Sequence, residues 1–156
     1  MPSAFDLTTS SLASSLRGWR GTTAFHPAQL QPEKNLELYD IEACPFCRLV
    51  REALTEFDLD ALILPCPVGG ERYRPRCEEL GGRQQFPFLV DPNTGGQLYE
   101  SADIIDYLAT TYQRPAPGTH GLRRRLAVAT SLAASAVRYG HGRMARPSRA
   151  PDQPLE

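Results

Sequence analysis

Residues 38–54 read LYDIEACPFCRLVREAL, and across them an alternating apolar run gives way to one with helical spacing. Upstream, NLELYDI (35–41) sets Leu36, Leu38 and Asp40 on one side of an extended chain and Glu37, Tyr39 and Ile41 on the other, as in a strand. Downstream, Phe46, Leu49, Val50, Ala53, Leu54 and Phe57 recur at i, i+3, i+4 spacing, and Pro45 falls where a first helical turn tolerates proline. Cys44 and Cys47 stand at the junction.

The neighbouring segments extend this alternation. ALILPC (61–66) reads as a second strand and RPRCEEL (74–80) as a short helix ended by Gly81-Gly82. FPFLVD (86–91) and QLYE (97–100) read as strands joined by the turn residues PNTGG. SADIIDYLATTY (101–112) reads as a helix with Ser101 as N-cap and Ile104, Ile105 and Leu108 inward. Residues 35–112 thus give the α/β order β-α-β-α-β-β-α and a four-stranded mixed sheet. A crossover helix makes the first two strands parallel, and the short hairpin makes the last two antiparallel.

The flanks are weaker in signal. Residues 1–34 form an N-terminal extension with a short helix carrying Leu12, Leu16 and Trp19 on one face. Residues 113–139 hold the linker RPAPGTHG and an amphipathic helix with the stripe Leu122, Leu126, Ala129, Ala133, Ala136 and Val137. Residues 140–156 are a basic, Pro-rich tail. The closing QPLE echoes QPEKNLELY before the first strand, which points to a second copy of this module in a longer tandem protein.

Composition narrows the classes. An apolar fraction of 41% in 156 residues supports a packed core, and no apolar run reaches the ~18 residues of a membrane span. A soluble protein without membrane partners is expected. The net charge of −1 hides an acid-free interval between Asp106 and Asp152 with arginines at 114, 123, 124, 125, 138, 143, 146 and 149. With Tyr139 its lone aromatic of stacking type after residue 112, this interval argues for a solvated helix and linker rather than a nucleic-acid surface. Four cysteines and no secretory apolar region favour a reducing, cytoplasmic setting. Arg17 and Arg20 in a Ser/Thr-rich, acid-poor stretch raise the alternative of a transit peptide and an organelle stroma, with Asp6 against it.

Cys44-x-x-Cys47 at a strand-to-helix junction has a mechanical logic. Unpaired N–H groups and the macrodipole at a helix start stabilise a thiolate and lower its pKa below the free value of about 8.5. A second cysteine three residues on can resolve a mixed disulfide. This makes Cys44 the nucleophile and Cys47 the resolver. Two other uses stay open on residues alone: a zinc site, for which Cys66 and Cys77 are badly spaced and His26, His120 and His141 isolated, and a buried structural pair. No metal is expected. Cys66 reads as a packed small hydrophobe and Cys77 as an exposed, oxidisable thiol.

Taken together, CPFC at a helix start, FPFLVD, a hairpin and YESADIIDYL resemble the glutaredoxins and, more closely, the thioredoxin-like N-terminal domain of glutathione S-transferases, over about residues 35–112. The resemblance implies a thioredoxin-like fold and a catalytic Cys44 assisted by Cys47. It implies that Pro87 is the cis-proline facing the site, that Phe86 offers backbone groups to the cysteinyl part of glutathione, and that Glu100 and Ser101 hold its γ-glutamyl end. Pro45, Phe46, Arg48 and Gln85 complete the expected glutathione-binding set, with Gln84 beside it.

The implied activity is that of a glutathione-dependent thiol-disulfide oxidoreductase, with glutathione as co-substrate and glutathionylated or disulfide molecules as partners. Two alternatives accompany it: a transferase-type half that needs a partner domain, and a non-enzymatic module binding glutathione or a cluster. The chain departs from full transferases in having only about 44 residues after Tyr112, and from many of them in placing Cys, not Ser or Tyr, at position 44.

Overall fold

The computed structural model describes residues 4–24, 27–113 and 121–142, with side chains at 4–7, 9, 121–125 and 138–142 excluded. In chain order the elements are α1 (Ala4–Leu16), β1 (Leu36–Asp40), α2 (Pro45–Phe57), β2 (Ala61–Pro65), α3 (Arg74–Gly81), β3 (Phe88–Asp91), β4 (Gly96–Tyr99), α4 (Ser101–Thr111) and α5 (Gly121–Gly142). The strands form one sheet in the order β2-β1-β3-β4. β1 runs parallel to β2 and antiparallel to β3, and β3 pairs antiparallel with β4. This is the thioredoxin-like arrangement, with a right-handed crossover through α2 as its expected connection.

β1 is buried on both faces. Leu36 and Leu38 join Val50, Leu54 and Phe57 of α2, Leu89 of β3, and Ile104 and Leu108 of α4 in the main core. Tyr39 points the other way, into a second cluster with Leu64, Cys66, Cys77 and Phe88 beneath α3. β2 is an edge strand, and its outward proline follows from the ladder. The Cys66 N–H donates to the Asp40 carbonyl, so the N–H that Pro65 lacks would have faced outward, where no strand needs it. At the far end Asp91, fully buried, accepts the hydroxyls of Tyr107 and Tyr112 at 2.7 Å each and ties the β3–β4 turn to α4.

The flanking helices pack on the outer side of α2, but not through the faces that periodicity picks out. On α1 and the turn after it, Leu12, Leu16 and Trp19 are exposed, whereas Ala13 and Arg17 are buried. Arg17 pairs with Glu52 of α2 and donates to the Ala127 carbonyl and Thr130 of α5. On α5, Leu126, Ala129, Ala133 and Ala136 face solvent, while Ser131, Ala134 and Ser135 are buried. Leu122 has no described side chain. The reason is steric and polar together: small residues let the helices approach, and the buried Arg17 finds carboxylate, carbonyl and hydroxyl partners at the crossing.

Cys77 is also corrected. It is wholly buried under the sheet, not exposed, because it faces Tyr39 and Phe88 from α3. The linker 114–120, the tail 143–156, the side chains of the eight clustered arginines, and those of His26, His120 and His141 lie outside the described residues. Among the described residues no helix is long and apolar enough to cross a membrane.

Removing Arg17 strands a carboxylate in the interior. Arg17→Ala is expected to lower unfolding free energy in urea by about 3–5 kcal/mol, whereas Arg17→Met with Glu52→Leu recovers most of that loss. Equal losses in the single and double variants would show that the pair contributes nothing specific.

Candidate active site

Three segments meet at one end of the sheet, and the strand register brings them there. Tyr39 pairs with Phe88, so the loop after β1 runs beside Phe86 and Pro87. Phe88 pairs with Tyr99, so Pro87 lies across from Glu100. The β1–α2 loop carries Cys44, the entry to β3 carries Gln85, Phe86 and Pro87, and the start of α4 carries Glu100 and Ser101. The Phe86–Pro87 bond is cis. Gln85 Nε2 donates to Glu100 Oε1 at 2.5 Å, which joins the second and third segments directly.

Cys44 occupies the N-cap of α2 with an extended backbone, and Pro45 takes the first helical position. The Cys47 N–H points at Cys44 Sγ from 3.4 Å. Its hydrogen bond with Cys47 lowers the Cys44 pKa to about 6. The backbone N–H groups of Cys47 and Phe46 act in the same direction, and burial and the Asp40 charge oppose them. Cys44 is half-buried and Cys47 wholly buried. The hydrogen bond to Cys44 and burial push the Cys47 thiol far above the ordinary range. Both thiols are free, as are Cys66 and Cys77, whose pKa values burial raises, that of Cys66 to about 11. One half-buried thiol of lowered pKa beside one wholly buried thiol of raised pKa is an arrangement that suits attack followed by resolution.

The acid-hydroxyl pair differs in detail from its sequence reading. Glu100, not Ser101, is the N-cap residue of α4; Ser101 opens the helix and is buried. Glu100 has φ 64°, a left-handed value that costs a non-glycine residue about 1–3 kcal/mol. Its carbonyl accepts from Ile104 N–H at 3.0 Å, so the strained residue is held by the helix it starts. The Glu100 side chain makes no capping bond and stays exposed, while the first N–H groups of α4 face the same sheet end.

The remaining expected residues fall in varied places. The Pro45 carbonyl accepts from Ser131 Oγ of α5 at 2.6 Å. Phe46 is exposed. Arg74 stacks on the Phe86 ring at 5.1 Å and donates to Gln84 Oε1. Arg48 lines a cleft of about 270 Å³ with Arg20, Glu42, Arg51 and Glu52, a surface that Phe86, Pro87, Glu100 and Ser101 do not line. Among the described residues no three His, Cys, Asp or Glu side chains converge as a metal site.

Two residues at the site were not singled out as functional from the sequence. Asp40, at the end of β1, is buried, and Arg51 Nε lies 3.2 Å from its Oδ2. Arg51 also holds Glu42 through Nη1 at 2.6 Å. The available signal was an acidic residue in phase with Leu36 and Leu38, on the inward side of the strand and four positions before Cys44, with an arginine one turn after Cys47.

No curated protein matches the chain. Solved structures do: a Bombyx mori glutathione transferase, 26% identical over 53% of this chain and 38% of its own length with a TM-score of 0.47, and a delta-class glutathione transferase of Nilaparvata lugens, 28% identical over 49% of this chain and 36% of its own with a TM-score of 0.44. The chain therefore spans less than two fifths of the length of these transferases. The sequence model of the glutathione S-transferase N-terminal domain matches residues 38–116, half of the chain and every segment of the site. The chain belongs to the glutathione S-transferase N-terminal domain family.

Proposed function

We propose that this chain is a glutathione-dependent thiol-disulfide oxidoreductase of glutaredoxin type. The observation that carries the reading is the inequality of the two thiols, with Cys44 ionised near pH 6 and Cys47 buried and protonated behind it. Conjugation needs one activated sulfur, that of glutathione. A protein thiolate with a resolving partner serves exchange instead.

Glutathione suits the three segments. The N–H groups at the start of α4 offer a place for its γ-glutamyl carboxylate, and exposed Glu100 a partner for its ammonium. Phe86 lies before the β3 ladder, which begins at Phe88, so its backbone groups are left for the cysteinyl part. Pro45, Phe46 and Gln85 belong to the same segments, whereas Arg48 lines a separate cleft whose lining includes none of them. In the reaction, Cys44 thiolate attacks the glutathione sulfur of a mixed disulfide and the substrate thiolate leaves. A second glutathione then takes the first from Cys44 as oxidised glutathione, or Cys47 displaces it and forms the Cys44–Cys47 disulfide.

Family membership favours a second reading, a transferase half that conjugates electrophiles when joined to a helical partner domain. The two separate on rate: faster conjugation of a standard electrophile than reduction of a mixed disulfide would select the second. A cytoplasmic or stromal setting agrees with the first, since exchange of this kind runs on a reduced glutathione pool.

Alkylation of Cys44 is expected to rise with pH through an apparent pKa near 6 and then level off, because the reactive species is the thiolate. A midpoint near about 8.5 would remove the basis of the reading. In a glutathione-coupled mixed-disulfide assay, Cys44→Ser should abolish activity and Cys47→Ser should keep the monothiol route. Glu100→Ala should raise KM for glutathione about tenfold with kcat nearly unchanged, the signature of a lost charge-assisted contact.

A further inference from the structure

The buried surface between α2 and α5 places a hydroxyl on the turn that carries the reactive sulfur. Ser131 is fully buried in α5, and its Oγ donates to the Pro45 carbonyl at 2.6 Å. A helical serine has a local alternative, the carbonyl one turn back along its own helix. The neighbouring Thr130 takes that alternative, bonding to the Leu126 and Ala127 carbonyls at 2.8 and 3.2 Å. Ser131 instead crosses to another helix. Arg17 sets α5 in place for this contact, since it pairs with Glu52 of α2 and donates to the Ala127 carbonyl at 2.7 Å, one turn before Ser131.

The accepting carbonyl has a special place in α2. Pro45 has no N–H, so the first residue of the helix has no donor with which to hold itself. Its carbonyl shares one rigid planar unit with the N–H of Phe46, so a contact that fixes the oxygen also fixes the direction of that N–H. Phe46 and Cys47 are the second and third helical residues, the two whose N–H groups a cap side chain receives. The Cys47 nitrogen lies 3.4 Å from Cys44 Sγ, and both N–H groups favour the thiolate. A hydrogen bond at the carbonyl also polarises the peptide, which makes its N–H the better donor. Ser131 is thus joined to the sulfur by one hydrogen bond, one peptide plane and the donors of a single turn.

We propose that Ser131 is a positioning residue of the active site, holding the first turn of α2 through the Pro45 carbonyl so that the Phe46 and Cys47 N–H groups stay directed at Cys44 Sγ. The inference rests on the exchange reading only in taking Cys44 as the reacting sulfur. Cys47 of α2 and Asp40 of β1 act on Cys44 as ionisable groups. Arg48 and Arg51 stand on the same helix, Glu42 in the loop before it and Glu100 at the start of α4. The described side chains of α5, residues 126–137, include no titratable one. A change at Ser131 therefore reaches Cys44 through geometry and not through a lost charge.

The test uses the full chain and follows alkylation of Cys44 against pH by mass spectrometry, with unfolding in urea alongside. Ser131→Ala should move the alkylation midpoint up by about 0.5 to 1 pH unit, the size expected when a hydrogen bond of ordinary strength is weakened. Below the midpoint, alkylation should slow about three- to tenfold, because the thiolate fraction falls in proportion. Ser135 supplies a matched comparison: it lies one turn further on, is buried, and its Oγ has no hydrogen-bond partner among the described residues. Ser135→Ala should leave the midpoint at the wild-type value. An unmoved Cys44 midpoint in Ser131→Ala, whatever its stability in urea, would reduce Ser131 to a packing role and overturn the proposal. Equal shifts in the two variants would mark general loosening of α5 and overturn it as well. A wild-type midpoint near about 8.5 would remove the exchange reading and this inference with it.

Discussion

β1 is hydrogen-bonded on both edges and buried on both faces, and the candidate site depends on its register. Leu38 faces α2 and α4 while Tyr39 faces α3, so a slip of one residue would exchange them and put a phenol into the main core. The same register sets Phe88 opposite Tyr39 and Tyr99 opposite Phe88, and Asp40 ends the strand against Arg51 of α2. Loop, proline turn and helix start are therefore aligned by backbone pairing before any side chain of the site makes a contact.

Much of this was legible because it is local and periodic. The change from alternation to helical spacing around Cys44 marks β1 and α2 within a residue or so, and PNTGG marks the β3–β4 hairpin. Cys44 could be assigned to the helix start from sequence because the geometry is a property of four consecutive residues. What did not read through depends on contacts distant in the chain. Asp40 alternates correctly for a core position, and only the fold shows that Arg51 makes its burial tolerable. Cys77 sits among charged neighbours in the sequence, and the aromatic layer that covers it comes from β1 and β3. The N-cap of α4 was placed one residue late because Ser is the better capping side chain, whereas the structure puts a strained glutamate there.

The outer helices failed for a related reason. An apolar stripe foretells burial only when the partner surface is apolar, and the outer side of α2 offers Glu52 and Glu56. These carboxylates select Arg17 and Arg20, and the close crossing selects Ala13, Ser131, Ala134 and Ser135. Leucines at similar spacing are then left in water. Polar matching outranks hydrophobic periodicity here because a buried carboxylate without a partner costs more than an exposed leucine.

That outer layer bears on the chemistry. Cys44 owes its low pKa to hydrogen-bond donors of the first turn of α2, and such bonds weaken steeply with distance and angle. The first turn is thus the part of the helix whose position matters most. It is also the part α5 grips, through Ser131 Oγ on the Pro45 carbonyl, while Arg17 and Arg20 clasp the same helix two and three turns further along. Segments outside the matched family region accordingly hold α2 at both ends of its outer face, and the donors aimed at Cys44 Sγ are fixed partly by a residue 86 positions on from Pro45, in α5.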